Sequence, residues 1–273
     1  MTVRDTVSVT SGRDTVIFGR GGYLLSRLDV GAAKLADDRT AGRSVTFSGY
    51  ILPGGGTADV RAAEMDVLSR RLRRIVTNRG GFTLRVGERS IELTAKQAPV
   101  FAHEAPLNGD EAAHFTVCAE AKNAAAAYFL APEETASERG WKGKFVFPFH
   151  MDEGTVFALS TGEGEITVHN PGDVPCGFVL TARAEWSDLT SFTVTAESGE
   201  KISVVYPLPI GASMVIDTRP ARKTVTVGDA SAIGGLTVDS VMFALEPGEN
   251  KLTWQSEGGG TASVSVAITP LYH

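Results

Sequence analysis

Past residue 150 the chain alternates apolar and polar residues in short runs that recur about every ten residues, and turn signals break the series. The runs cover 155–160, 165–169, 177–186, 191–196, 201–206, 212–217, 222–227, 240–245, 251–255 and 262–268. Asn170-Pro171-Gly172-Asp173, Glu197-Ser198-Gly199-Glu200, Gly228-Asp229, Pro247-Gly248-Glu249-Asn250 and Gly258-Gly259-Gly260 are the turns. A period of two puts successive side chains on opposite faces of a strand, so each run has one face to bury. Strands at this spacing with no helix between them predict an antiparallel β-sandwich. The 30 glycines in 273 residues fit a turn-rich, mainly β chain.

The first half differs in one respect. Ser44 to Tyr50 alternates as a half-buried strand and Pro53-Gly54-Gly55-Gly56 ends it. A helix is predicted over 58–77, with Thr57 or Asp59 as its cap and Asn78, Gly80 and Gly81 as its stop. Met65, Leu68, Leu72, Ile75 and Val76 form one apolar stripe at three- and four-residue steps. Arg70, Arg73 and Arg74 fall on the other side, and Val60 and Val67 lie off the main stripe beside Arg71. Apolar residues on a second face point to a subunit contact. After the helix, Phe82 to Val86 and Ile91 to Ala95 read as a hairpin around Gly87-Glu88-Arg89, and His114 to Glu120 as a further strand. Residues 1–130 are expected to form an N-terminal β-rich domain with one helix. Residues 131–150, polar and aperiodic at their start, read as a linker, and 151–273 as the C-terminal sandwich.

Charge divides the same way. Residues 1–150 hold 20 Lys+Arg and 17 Asp+Glu, a net of +3, and residues 151–273 hold 6 and 15, a net of −9. Such asymmetry suggests two domains with different partners. No apolar run reaches the length of a membrane span, and Met1 to Val7 has no signal-peptide pattern, so synthesis and retention in a cytoplasm are expected. The two cysteines, Cys118 and Cys176, are then expected as reduced thiols.

The motifs of catalysis are missing. None of His103, His114, His150, His169 and His273 has a ligand partner at metal spacing, and no Cys-x-x-Cys, Gly-x-Ser-x-Gly or Walker-type Gly-Lys-Ser/Thr occurs. The expectation is no enzyme, no metal and no cofactor. The arginines Arg61, Arg70, Arg71, Arg73 and Arg74 carry no interleaved aromatics, and their half is only +3, which argues against specific nucleic-acid binding. They read either as a solvated face paired with Glu64 and Asp66 or, with Val67, as inter-subunit contacts. His169-Asn170-Pro171 and Trp254 to Glu257 look like pieces of a galectin sugar site, in which a flat aromatic stacks on a sugar and polar groups bind its hydroxyls. Gly172 stands where an arginine would follow the proline, so a strand-ending turn plus a core tryptophan is the favoured reading. His169, Asn170, Trp254 and Glu257 remain the sugar-site candidates of the alternative, a carbohydrate-binding module.

The order of these features resembles the distal tail protein (Dit) family of phages with long non-contractile tails. The resemblance rests on Val45-Thr46-Phe47-Ser48-Gly49, the Arg/Leu helix, the Phe82 hairpin and Phe115 to Ala119. In the second half it rests on Ile166 to Pro175, Gly211 to Thr218 and Phe243 to Leu252. It implies a ring-forming N-terminal domain and a galectin-like C-terminal sandwich pointing outward. It also implies a homohexamer at the tail tip, or baseplate hub, of a phage or prophage. The partners implied are the tail tube protein, a tail-tip or tape-end protein and a receptor-binding protein. Assembly in the host cytoplasm into a virion fits the absent signal peptide.

Overall fold

The structure, a computed structural model, describes all residues except 1–5, 33, 37–38, 105–111, 122–127, 140, 144–157, 161, 221 and 259. The chain forms two compact units, 1–131 with Tyr272–His273, and Pro132–Leu271.

In the first unit the elements run β1 (Val7–Ser11), β2 (Asp14–Ile17), β3 (Tyr23–Val30), β4 (Lys34–Ala36), β5 (Arg39–Gly42) and β6 (Ser44–Ile51). Helix α1 (Ala58–Val76) follows, then β7 (Phe82–Val86), β8 (Arg89–Ala95), β9 (Val100–Glu104), β10 (Ala112–Ala121) and β11 (Phe129–Leu130). The main sheet has the order β2-β1-β7-β8-β10-β6-β3, with β9 on β10 and β11 on β8. Strict alternation decides which face is buried. Val45, Phe47 and Ile51 of β6 point inward and Thr46, Ser48 and Tyr50 outward. Gly49 fills the remaining inward position because a Cβ there would collide with the Leu24 carbonyl and come within 2.9 Å of Phe115 Cζ. The inward face gathers Phe18, Phe47, Phe82 and Phe115, whose ring centroids lie 5.9–6.4 Å apart. Such spacing is favourable for edge and offset aromatic pairs. The helix lays Met65, Leu72, Ile75 and Val76 into the same core, with Leu68 packed at its margin. The hairpin β7–β8 turns at Gly87, whose φ of +60° suits the first central residue of a two-residue loop.

The second unit contains β12 (Glu134–Arg139), β13 (Trp141–Gly143), β14 (Ala158–Ser160), β15 (Glu163–Asn170), β16 (Phe178–Glu185) and β17 (Leu189–Ala196). It continues with β18 (Lys201–Leu208), β19 (Ser213–Asp217), β20 (Thr224–Val227), β21 (Ala230–Ser231), β22 (Gly248–Glu257) and β23 (Thr261–Ile268). Its two main sheets have the orders β12-β23-β16-β19-β20-β21 and β15-β22-β17-β18, with every pairing antiparallel. Inward side chains of both meet in one core around Phe178, Leu180, Phe192, Val194, Ile216, Leu252 and Trp254. This is the sandwich that the strand spacing predicts.

Three segments depart from expectation. Residues 134–139, read as part of a linker, are strand β12 at a sheet edge, paired with β23. Only Ala136 of its apolar atoms packs on the core, and Glu134, Thr135 and Ser137 are exposed, so no hydrophobic alternation marks it. Polar and charged residues are how sheet edges avoid further pairing. Trp141–Gly143 of the same reading is strand β13, paired with β14, while residue 140 and 144–150 lie outside the described residues, as do 155–157 of the first expected sandwich strand. Residues 240–245 alternate but form no strand. Val241 N–H bonds Lys201 C=O of one sheet at 2.8 Å, while Leu245 bridges Cys176, next to β16 of the other. The segment therefore crosses between sheets, burying Phe243 and Leu245 on the way, and that burial produces the period of two. The expected strand 177–186 ends at Glu185, and Trp186 sits in the turn that follows.

Candidate functional site

Helix α1 is positioned by its own arginines. Arg74 pairs with Asp14 of β2 at 2.9 Å, and Arg71 donates to the Thr15 carbonyl at 2.9 Å. Arg73 lies over the Phe101 ring, 5.1 Å from its centroid. Arg61 reaches back to the Gly56 carbonyl at 2.5 Å, and Arg70 pairs with Asp66 one turn earlier. Neither expected cap uses its side chain. Thr57 accepts from Arg61 N–H through its backbone carbonyl, and Glu64 takes the Gly54 N–H at 2.7 Å. Tyr23 adds a tie from β3, its hydroxyl donating to the Leu68 carbonyl at 2.9 Å. Burial raises the Tyr23 pKa, and the charge of Arg71 opposes the rise.

The five arginines singled out from the sequence thus all have partners in their own chain. The Arg70–Asp66 pair fits a solvated face, and the other four brace the helix against β2, β9 and the loop before it. What the helix leaves uncovered is the ridge of Val60 and Val67, 54% and 62% exposed. Residues seven apart share a face, so the two valines form one apolar strip.

The sugar-site residues do not converge. Trp254 is 1% exposed and stacks on Phe192 inside the core, where no sugar ring can reach it. Its ring lies against Gly164 across the strand pair, where a Cβ would come within 2.6 Å. Asn170 is equally buried. Its amide donates to the Val174 and Leu245 carbonyls and its oxygen accepts from Gly172 N–H, so it locks the turn. His169 pairs with Glu249 at one end of β15, while Glu163 pairs with Gln255 at the other. At about 3.3 Å per residue, His169 is about 20 Å from the end that carries Glu257. The galectin-type constellation is therefore not assembled. The physical reason is strand parity: Trp254 falls on the inward face.

The surface that sequence reasoning missed lies at that other end. Glu163, Ser191, Thr193, Gln255, Ser256 and Glu257 line an open groove of about 330 Å³. Ser191 Oγ donates to Glu257 at 3.0 Å, and Thr193 and Ser203 share a hydrogen bond of 2.8 Å. Nearby in sequence, the Trp186 indole is 75% exposed. The Ser-Asp that follows Trp186 was the one sequence sign of a turn there. Elsewhere in the unit Arg219 grips Asp217 through two guanidinium nitrogens. Burial alone raises the Asp217 pKa, but hydrogen bonds from Arg219 and the charges of Arg219 and Arg222 outweigh it and hold the carboxyl below its ordinary value. Among the described residues no cluster of three metal-ligating side chains occurs, no helix is long and apolar enough to cross a membrane, and both cysteines are free.

Residues 171–272 match the family described as siphovirus-type tail component, C-terminal domain. The second unit is therefore similar to the C-terminal domain of siphovirus-type tail components. The crystal structure of the Dit protein (gp 19.1) of phage SPP1, described as a paradigm of the hub adsorption apparatus in phages infecting Gram-positive bacteria, shares the fold. The two are 12% identical, with a TM-score of 0.53 over 93% of this chain and 91% of that one. Among curated proteins none matches. The matched segment begins at the turn locked by Asn170 and takes in Trp186, Gln255 and Glu257. Helix α1 lies outside it, so the role of the valine ridge rests on its own geometry.

Proposed function

We propose that this chain is a distal tail (Dit) protein, a structural hub of the phage tail tip. It is a virion component that does no catalysis, and it assembles in the host cytoplasm. Copies of the chain form a ring, of six subunits, that joins the tail tube to the tail-tip or tape-end protein and to receptor-binding proteins. The observation that carries the reading is the match of residues 171–272 to siphovirus-type tail components. A fold that follows the SPP1 hub protein along 93% of the chain supports it. The ring contact is assigned to the Val60–Val67 ridge of α1 with Arg70 beside it. Arg61, Arg71, Arg73 and Arg74 act indirectly, by holding the helix on its sheet. The carbohydrate-module reading through His169, Asn170, Trp254 and Glu257 is not carried forward, because Trp254 and Asn170 are core residues. Native mass spectrometry and negative-stain imaging of the purified chain test the reading. A six-fold ring is the expected result. A strict monomer, alone and with its tail neighbours, overturns it.

A further inference from the structure

We propose that the Trp186 turn and the polar groove next to it bind a short neutral saccharide. The site lies wholly within the second unit and shares only Glu257 with the sugar-site residues read from sequence. It does not depend on the tail-tip reading.

Trp186 is the only described non-glycine residue with positive φ, at +73°. Ser187 N–H bonds back to the Glu185 carbonyl at 2.9 Å, closing a three-residue turn around it. A γ-turn of this hand is rare and strained, and a large aromatic holds it only where the surroundings enforce it. Here they do. Asp188 accepts the Ile210 N–H at 2.7 Å. Gly258 packs so closely that a Cβ on it would lie 2.7 Å from the Asp188 carbonyl, and one on Gly260 would lie 2.6 Å from Ser187 Oγ. The backbone that carries the indole is thus firmly held, and the ring faces solvent. Ser187 Oγ beneath it is buried with no hydrogen-bond partner.

The groove supplies the complementary chemistry. Register places Ser191 opposite Glu257, and Glu163, Gln255 and Thr193 in one row across β15, β22 and β17. Alternation sends Val194 and Trp254 into the core and these polar residues outward. Gly258 packs on the Asp188–Thr190 backbone and Gly260 on Ser187, and both closely follow Glu257, so the turn that carries Trp186 lies at the same end of the sandwich as the groove. Two carboxylates, an amide and three hydroxyls accept from and donate to a run of sugar hydroxyls. A flat aromatic covers the apolar C–H face of a pyranose. The carboxylates, in a region of net charge −9, select against phosphorylated or uronate-bearing chains. The lining is polar throughout, which disfavours an apolar peptide even though Ile210 is exposed nearby.

The full-length protein is titrated with maltotetraose, cellotetraose and chitotetraose, and with a hyaluronan tetrasaccharide as the anionic probe, by calorimetry and saturation-transfer NMR. At least one neutral tetrasaccharide is expected to bind. Trp186→Ala weakens it about tenfold, the value of an aromatic contact. Trp186→Phe keeps most of the affinity and Gln255→Ala weakens it, while thermal unfolding and ring formation stay as in the parent. Absence of binding by all three neutral probes at about 10 mM overturns the proposal. So does a preference for hyaluronan, unchanged affinity in Trp186→Ala, or an exposed Trp186 that serves only to capture a protein.

Discussion

Trp254 and Gly164 form a pair in which the smaller residue decides where the larger one goes. The indole lies flat on a backbone position that has no Cβ, and Ile166 and Leu252 are buried with it in the same core. Gly164→Ala is expected to cost about 1–3 kcal/mol, the usual penalty for overpacking. Urea unfolding followed by tryptophan emission checks this, since Trp254 has to leave its apolar seat while Trp186 is exposed already. The two cysteines make a second test at this scale. Burial pushes the Cys176 thiol up to about 11, and Cys118 is half-buried with the Thr46 hydroxyl 4.0 Å from its sulfur. A raised thiol stabilises the fold fully below the unfolded-state value of about 8.5. That contribution is lost as pH rises from there through about 11, because only the unfolded chain ionises in between. Stability is therefore expected to fall from pH 8 to about pH 10.5 in the parent and less so in Cys176→Ala, measured by urea midpoints. A disulfide-exchange reagent at pH 8 should label Cys118 in the native chain and Cys176 only after unfolding.

Among the elements, α1 shows how far packing outweighs surface charge. Leu72 is fully buried between helix and sheet, and Leu72→Ala is expected to cost about 2–5 kcal/mol. The Arg74–Asp14 pair is well formed but exposed, and Arg74→Ala should cost less than about 1 kcal/mol. Thermal or chemical melts of the two variants separate these magnitudes. The same helix marks what could be read in advance. Its stripe, its bounds near 58 and 77 and its arginine face follow from three- and four-residue steps, because a long periodic segment leaves little choice of face. Strand β12 was not legible, because an edge strand of small and charged residues buries almost nothing that a pattern can register. The crossing at 240–245 misled in the opposite sense: its alternation reflects burial between two sheets rather than pairing within one. Trp254 shows the limit for sites. Trp-x-x-Glu is visible in the sequence, but whether the tryptophan faces the core or solvent depends on a register of one residue, which the motif does not fix.

At the scale of the whole molecule, the proposed ring would turn one surface into many identical contacts. In a closed head-to-tail ring the patch on one subunit meets a different patch on the next, so a single substitution acts at every joint at once. Two accounts of that joint differ in their response to salt. If the arginines of α1 bridged subunits, ions would screen the contact, since the Debye length shrinks to about 3 Å at 1 M salt. Arg61, Arg71, Arg73 and Arg74 are instead engaged within their own chain, and the uncovered atoms are those of Val60 and Val67. An apolar joint does not weaken with ionic strength. The ring is therefore expected to persist from low salt to 1 M sodium chloride in negative-stain images and native mass spectra, and to dissociate in Val67→Asp at either salt level. Val67 is exposed in the single chain, so that variant should melt within about 0.5 kcal/mol of the parent, which separates lost assembly from lost folding. Val205→Asp, an equally exposed substitution in the second unit, is the control that should leave the ring intact. A ring that falls apart in salt yet tolerates Val67→Asp would move the joint from the valine ridge to the charged residues.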